Sequence, residues 1–423
     1  MKIYLDSIGC RLNQSEIESM GRQFRAAGHE IVSTADVADM AVVNTCAVTA
    51  EAASDSRGAV RRIARTGVAD IVVTGCWATL QQGQAAALPH VQRVVDNSRK
   101  DALVADVLDL PREAFDVEPI ARRPLPGLRQ RTRAFIKVQD GCNNHCTFCI
   151  TTIARGESSS RPIADVIADV RSAVDGGVKE VVLTGVHLGS WGQDFGAHLR
   201  QLVQAIFRET DAPRIRLSSL EPWDLDAEFF ALWEDERLCR HLHLPLQSGC
   251  ASTLRRMARK TTPIAFRGLL AAARQVMPDV AITTDIIAGF PGETEAEFRE
   301  SFEFVEEMSF AGGHAFSYSP RPGTGAAKMT GQVPPKVRRE RNALYRGLFE
   351  RSSMAYRRKF VGQQMTVLWE STVRLNDSGW QMSGLTGNYL RVMASAPRPM
   401  WNEISPVLLQ SVQGDGLGGL LAG

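Results

Sequence analysis

Six of the eight cysteines fall into two sets of three, and their placement constrains the fold more than any other feature. Cys142, Cys146 and Cys149 form a compact C-x3-C-x2-C loop, GCNNHCTFC, directly after an apolar run that reads as a strand. Cys10, Cys46 and Cys76 are far apart in sequence. Yet each directly follows a strand-like run: IYLDSIG before Cys10, AVVNT before Cys46 and IVVTG before Cys76. In a parallel sheet the carboxyl ends of the strands share one edge, where ligands bind. Three thiols on that edge can converge on one spot. The alternative is three small hydrophobes in a core, because free cysteine is commonly buried. Recurrence at the same position of three successive units argues against it.

The surrounding pattern supplies such a sheet. Strand-like runs Lys2–Ser7, Met40–Asn44 and Asp70–Thr74 alternate with helical stretches Gln14–Ala27, Glu51–Thr66 and Ala78–Ala87. This predicts an open parallel α/β domain over residues 1–110. Residues 111–127 read as a linker: four prolines and no periodicity. The cluster Arg122, Arg123, Arg129, Arg131 and Arg133 is either a solvated surface or a set of phosphate contacts. Alternation then resumes with strands at Ala134–Gln139, Glu180–Thr184, Arg214–Ser218, His241–Pro245, Val280–Ile287 and His314–Tyr318. Six β/α units predict a partial (β/α)6 barrel within residues 128–360. It ends in a helix over Pro334–Phe360 with nine basic residues against two acidic ones. Residues 361–423 turn β-rich, with turn signals at Asn376-Asp377 and Gly387-Asn388, and predict a small all-β domain. The Gly-rich tail QGDGLGGLLAG reads as disordered.

With 423 residues the chain exceeds one ordinary domain. A net charge of +2 means that nucleic-acid affinity must come from local patches. No run approaches the roughly 18 apolar residues of a membrane helix, and MKIYLDSIGC has no apolar segment of a signal peptide. Cysteines without an export signal are expected to be thiols in the reducing cytoplasm. Three thiolates on one loop can wrap a soft metal centre. Zinc usually takes four ligands in paired motifs; here the second pair is missing, and His145 is the nearby candidate for a fourth ligand. An iron–sulfur cluster with three cysteine ligands and one open iron fits better. Cys239 and Cys250 read as structural thiols.

These residues resemble the radical S-adenosylmethionine methylthiotransferases. The resemblance covers nearly the whole chain: GCRLNQSE, NTCAVT, TGC and DGCNNHCTFCI around the cysteines, then LTGVHLGSWGQD, SSLEP, HLHLPLQSG, TTDIIAGFPGET and FSYSPRPGTGAA. GLTGNYLRV resembles the RNA-binding TRAM domain. GCRLNQSE, KVQDGCNN and LHLPLQSG look most like the MtaB-type branch, which methylthiolates N6-threonylcarbamoyladenosine in tRNA; other branches act on isopentenyladenosine in tRNA or on a ribosomal-protein aspartate. Thr151-Thr152-Ile153, His145 and Ser158-Ser159-Ser160-Arg161 depart from the family pattern.

The resemblance implies two [4Fe-4S] clusters, one on Cys142, Cys146 and Cys149 with S-adenosyl-L-methionine on its open iron, the other on Cys10, Cys46 and Cys76. The hard chemistry is then the cofactors', and no side chain is assigned as catalytic. It implies Thr184 and Gly185 at the methionine amino group, and Asp285, Gly289 and Glu293 on the adenine side. A helix cap and turn around Pro291-Gly292 is the competing explanation of Asp285 and Glu293. Arg155 and Arg161 either face the cofactor carboxylate or RNA phosphate or are plain surface arginines. The implied partners are the tRNA anticodon loop and an electron donor such as flavodoxin or ferredoxin. The basic helix and linker arginines are the candidates for tRNA backbone. Trp380, Tyr389 and Trp401 either stack on bases or form the core of the last domain. A reading of another class is a non-catalytic iron–sulfur or zinc RNA-binding module.

Overall fold

A computed structural model describes residues 1–111, 115, 132–376 and 379–421. Arg122, Arg123, Arg129, Arg131 and Asp377 lie outside the described residues. The chain divides into two compact units. The first comprises Met1–Asn144, Cys149–Ala197 and Arg208–Asp211; the second comprises His145–Phe148, His198–Phe207 and Ala212–Gly423.

The first unit begins β1 (Lys2–Ser7), α1 (Arg11–Ala26), β2 (Glu30–Val32), β3 (Met40–Thr45), α2 (Ala50–Ala64), β4 (Asp70–Gly75), α3 (Cys76–Leu80), α4 (Gln82–Ala86), β5 (Val91–Val95) and α5 (Leu103–Leu108). The five strands form one parallel sheet in the order β2-β1-β3-β4-β5. All six residues of β3 are buried, as expected of a strand covered on both faces. Val42 packs with Ile17, Met20 and Phe24 of α1. Its neighbour Val43 packs with Val60 and Ile63 of α2. Alternation along the strand thus sends α1 and α2 to opposite faces. The edge strands β2 and β5 escape the sequence pattern: one has three residues, and the other exposes Gln92 and Arg93.

The unit continues with β6 (Arg133–Lys137), β7 (Gln139–Asp140), α6 (Thr151–Arg155), β8 (Ser159–Ser160), α7 (Ile163–Asp175) and β9 (Glu180–Thr184). β6 and β9 pair in parallel, and β7 and β8 form a two-residue antiparallel pair.

The second unit holds β10 (Ile215–Leu217), β11 (His241–His243), β12 (Ala281–Ala288) and β13 (Gly312–Ser317). β11, β12 and β13 pair in parallel, and β10 is bridged at Ile215–Leu238. The six barrel strands anticipated from sequence are therefore present. Thr294 and Glu297 form a capping box that starts the helix Glu295–Glu307. The basic helix spans Pro335–Arg358. Its polar face is less basic than its composition: Arg341 is buried against Glu293 and Glu295, Arg357 donates to the Gly414 carbonyl and Arg338 to the Tyr318 carbonyl.

β14 (Gln364–Asn376), β15 (Gly379–Thr386), β16 (Arg391–Ala396), β17 (Ile404–Gln413) and β18 (Gly416–Leu421) close a barrel in the order β14-β15-β16-β18-β17. The expectation of a disordered Gly-rich tail is thus corrected for Gly416–Leu421, which form a strand. Its glycines answer close approach. A Cβ at Gly418 would lie 2.2 Å from the Gln413 side chain, and one at Gly419 would lie 2.3 Å from Val407. Trp369 fills the barrel core with Val367, Met382, Val392 and Val407. Arg214 donates to the Leu385 and Thr366 carbonyls, and Arg216 to that of Gly387. Among the described residues, no helix is long and apolar enough to cross a membrane.

Candidate metal centres

The first cysteine set stands on the β1-β3-β4 part of the parallel sheet. In a 2-1-3-4-5 sheet the strand order reverses between β1 and β3, and the diverging helices leave a crevice outside their carboxyl ends. Cys10 ends the loop after β1, Cys46 follows β3, and Cys76 is the first residue of α3. Two glycines let these loops close. A Cβ at Gly9 would lie 2.6 Å from the Cys46 sulfur, and one at Gly75 would lie 2.2 Å from the Thr45 carbonyl oxygen. Ser56 accepts from the Cys46 N–H at 2.9 Å and donates to its carbonyl at 3.1 Å. The charges of Cys10, Cys46 and Cys76 act on one another, and Arg155 acts on all three. Burial pushes the Cys46 thiol up to about 11, so its thiolate needs a metal centre or nearby cations. Among the described residues no disulfide joins any of the eight cysteines.

Beside these thiols lies a buried polar network that sequence patterns did not reveal. Arg155 donates through Nη1 to Glu16 and Asp140, each at 2.9 Å, and through Nη2 to Asn13 Oδ1 at 2.8 Å. Glu16 also accepts from Lys100 at 2.8 Å and from Asn44 at 3.0 Å. Lys137 reaches Asp101 at 2.9 Å and Asp140 at 3.3 Å. Burial alone would raise the Glu16 carboxyl; Lys100, Arg155 and Lys137 hold it well below the usual range. The expectation that Arg155 faces a cofactor carboxylate or RNA phosphate meets a different environment, since both terminal nitrogens are engaged within this network. Arg161 likewise binds Asp169 at 2.7 Å and the Lys137 carbonyl at 3.0 Å.

The second set lies on the loop between β7 and α6. Within the first unit, the Cys142 N–H donates to Gly156 at 3.1 Å, and its sulfur accepts from the Asn144 N–H at 3.4 Å. Gln139 organises this loop: Nε2 donates to the Asp140 and Gly141 carbonyls at 2.8 Å, and Oε1 accepts from the His187 N–H at 2.8 Å. Thr184 ends β9 almost fully buried, its carbonyl accepting from Val138 at 2.9 Å; Gly185 lies against Gln139. Within the second unit, Arg259 approaches the Cys146 sulfur at 3.8 Å. Its guanidinium is clamped by Glu221 at 3.0 and 2.6 Å and lies 4.5 Å from the Trp223 ring.

The adenine-side candidates separate. Asp285 faces the strand surface it shares with His243 and His314, accepting from them at 3.2 and 3.3 Å. Burial raises its carboxyl, but these two hydrogen bonds hold it well below the usual range. Glu293 is buried, accepting from Arg341 at 2.7 Å and from the Gly289 N–H at 3.0 Å. Neither caps the following helix; Thr294 does. Tyr389 stacks 4.6 Å from the His241 ring with Arg216 over it, and Trp380 packs against the barrel core, which favours packing over base stacking for both.

Among the described residues, no group of three or more His, Cys, Asp or Glu is gathered tightly enough for a single metal ion. Zinc holds its ligands at about 2.0–2.3 Å, whereas a four-iron cluster spreads its thiolates further apart. His145 is exposed. Around Cys10, Cys46 and Cys76, thiols whose charges act on one another beside a buried cation suit an anionic iron–sulfur cluster.

Residues 2–96 match the model described as uncharacterized protein family UPF0004, and residues 136–305 match the radical SAM superfamily. The threonylcarbamoyladenosine tRNA methylthiotransferase MtaB of Bacillus subtilis is 33% identical, over 95% of this chain and 92% of its own. That of Thermotoga maritima is 36% identical, over 87% and 86%. The tRNA-2-methylthio-N(6)-dimethylallyladenosine synthase of Erythrobacter litoralis is 33% identical, over 89% of each. Among solved structures, the radical S-adenosylmethionine methyltransferase TsrM from Kitasatospora setae superposes with a TM-score of 0.59 at 15% identity, covering 77% of this chain and 75% of that one, a likeness of fold. Matches over residues 2–96 and 136–305, and relatives of this identity along almost their full length, place the chain in the radical S-adenosylmethionine methylthiotransferase family, a family of tRNA-modifying transferases.

Proposed function

We propose that the chain converts N6-threonylcarbamoyladenosine beside the tRNA anticodon into its 2-methylthio derivative. The observation that carries this reading is the 32–36% identity to relatives named for that reaction, over 86–95% of the chain. Cys142, Cys146 and Cys149 would hold one [4Fe-4S] cluster, and Cys10, Cys46 and Cys76 a second. When bound, the clusters and S-adenosylmethionine supply radical cleavage of an unactivated C–H bond and the sulfur that replaces its hydrogen, chemistry no side chain provides.

The chain's own residues bind and orient. Glu221 and Trp223 fix Arg259 against Cys146, while Gln139 fixes the loop that carries Cys142. Thr184 and Gly185 are proposed for the methionine end of S-adenosylmethionine, and Asp285 and Gly289 for its adenosine end. Residues 361–423 are proposed to hold tRNA. Their strand order, first-second-third-fifth-fourth, is that of five-stranded oligonucleotide-binding barrels, which use the face of the second and third strands. Arg391 is exposed there on β16.

Relatives named for dimethylallyladenosine reach 33–34% identity, so that substrate is the second reading. Nucleoside mass spectrometry of total tRNA from cells with and without the gene separates the two. Loss of 2-methylthio-threonylcarbamoyladenosine with accumulation of its precursor supports the first. Loss of the isopentenyl counterpart moves the chain to the second branch. No change in either refutes tRNA as substrate and directs the search to ribosomal-protein aspartate.

A further inference from the structure

We propose that Arg155 is the positioning cation of the Cys10–Cys46–Cys76 site and sets the reduction potential of the cluster held there. This rests on the assignment of a [4Fe-4S] cluster to those thiols. Three observations carry it.

The first is placement. Arg155 ends α6, a helix that starts two residues after Cys149. At 1.5 Å per residue the helix advances the chain about 6 Å from Thr151 to Arg155. There its Nη2 and the Cys10 thiol donate to the same atom, Asn13 Oδ1, at 2.8 and 3.7 Å. The same short helix is tied to a second thiol. Asn97 Nδ2 donates to the Ala154 carbonyl at 2.7 Å and approaches the Cys76 sulfur at 3.7 Å. One five-residue helix thus fixes a cation relative to two strand-end thiols.

The second is burial. The Arg155, Glu16 and Lys100 side chains are each 2% exposed. A charge so placed is weakly screened by salt and acts at low effective dielectric.

The third is balance. Arg155, Lys100 and Lys137 face Glu16 and Asp140, three cations against two carboxylates. Asp101, the further partner of Lys137, is 84% exposed and lies in water. Counting Asp101, three cations face three carboxylates, but the third carboxylate is solvated and lies against Lys137, not Arg155, so the buried arginine can still stabilise an anion beside it. Three thiolates around a cluster are such an anion. A buried cation beside a cluster favours its reduced, more negative form and so raises its potential.

The test uses the full chain carrying Cys146→Ala, so that only the cluster on Cys10, Cys46 and Cys76 assembles, loaded anaerobically with iron and sulfide. Its midpoint is read by redox titration followed by electron paramagnetic resonance, with iron counted in parallel. Arg155→Gln should move the midpoint to more negative values at unchanged iron content. Arg155→Lys, which keeps the charge, should stay near the parent. Glu16→Gln, which removes a buried negative charge, should move it the opposite way. Should Arg155→Gln fail to fold by circular dichroism, the Lys and Glu16 variants decide the matter by their signs. An Arg155→Gln protein that folds, holds iron and titrates at the parent midpoint overturns the proposal, as does a Glu16→Gln shift to more negative values. A Cys146→Ala parent without iron, beside a wild-type chain that binds it, overturns the cluster assignment and this proposal together.

Discussion

Gly141, the residue before Cys142, offers a direct test of how the loop holds its first thiol. Its φ is +66°, and a Cβ there would lie 1.8 Å from the Glu157 carbonyl oxygen and 2.8 Å from that of Gly156. Gly177 is the control in the same unit: φ is +86°, with no heavy atom within 4 Å of a Cβ. Gly177→Ala therefore carries only the backbone term, about 1–2 kcal/mol for an L-residue at positive φ. Gly141→Ala carries that term and a clash with backbone that no side-chain rotation relieves. Relief requires the β7–β8 pair to open, with loss of the Cys142 N–H bond to Gly156 at 3.1 Å. That bond contributes about 1 kcal/mol, so the total is at least about 2–3 kcal/mol, concentrated on the loop. Two measurements check this: urea unfolding of the metal-free proteins and iron per chain after anaerobic loading. Gly177→Ala should hold the about eight irons of two four-iron clusters. Gly141→Ala should fall to about four, because Cys142 leaves its position. Equal stability losses in the two variants, with full iron in both, would refute the steric reasoning.

Other consequences are equally open to measurement. Cys146→Ala should abolish reductive S-adenosylmethionine cleavage, whereas Cys46→Ala should retain cleavage and lose methylthiolation; cleavage surviving in Cys146→Ala reverses the assignment of the two sets. The Glu297 carboxyl is held at about 2 by Arg256, with help from Ser252 and the Thr294 N–H, against an ordinary 4.5. A lowered carboxylate contributes stability that is present above pH 4.5 and is lost as pH falls towards 2. With discount for a partly solvated pair this is about 1–2 kcal/mol, and Glu297→Gln should flatten that part of the urea-stability profile between pH 6 and pH 3. Arg391→Ala should weaken tRNA binding and reduce the salt slope by about 1 at unchanged iron content; an unchanged slope removes β16 from the RNA face.

The placement of Cys10, Cys46 and Cys76 was legible because each follows a strand-like run, and strand ends in a parallel sheet share an edge. The order of the sheet was not. β2 has too few residues for a periodicity, and β5 carries solvent-facing Gln92 and Arg93, as an edge strand can. The network around Arg155 was out of reach for a different reason. Its members, Asn13, Glu16, Lys100, Lys137 and Asp140, are scattered through more than a hundred residues of sequence and meet only in the folded unit. Composition misled twice. Glycines that read as a flexible tail are the close-packed strand β18. Arginines that read as a basic helix face include Arg341, whose charge is neutralised inside the unit.

The residues before the thiols explain why convergence needs more than strand order. Cys10 and Cys76 each follow a glycine at positive φ, Gly9 at +98° and Gly75 at +97°. Cys46 follows Thr45 instead, and the sheet shows why. β3 lies between β1 and β4. The bare α-carbon of Gly9 presses on Cys46 from one side, and that of Gly75 presses on the Thr45 backbone from the other. The outer loops must bend inward, which requires glycine's left-handed backbone; the central one need only stay straight and be held. Thr45 Oγ1 holds it, donating to the Thr74 carbonyl at 2.6 Å and accepting from the Ala78 N–H at 3.1 Å. Ser56 clamps Cys46 itself. Burial pushes up both Cys10 and Cys46, the latter to about 11, so both depend on charge supplied from elsewhere. Arg155, on a helix that begins at the other cysteine loop, supplies part of that charge, foremost at Cys10. Assembly of the first site is therefore tied, through α6, to the correct folding of the loop that carries Cys142 and Cys149.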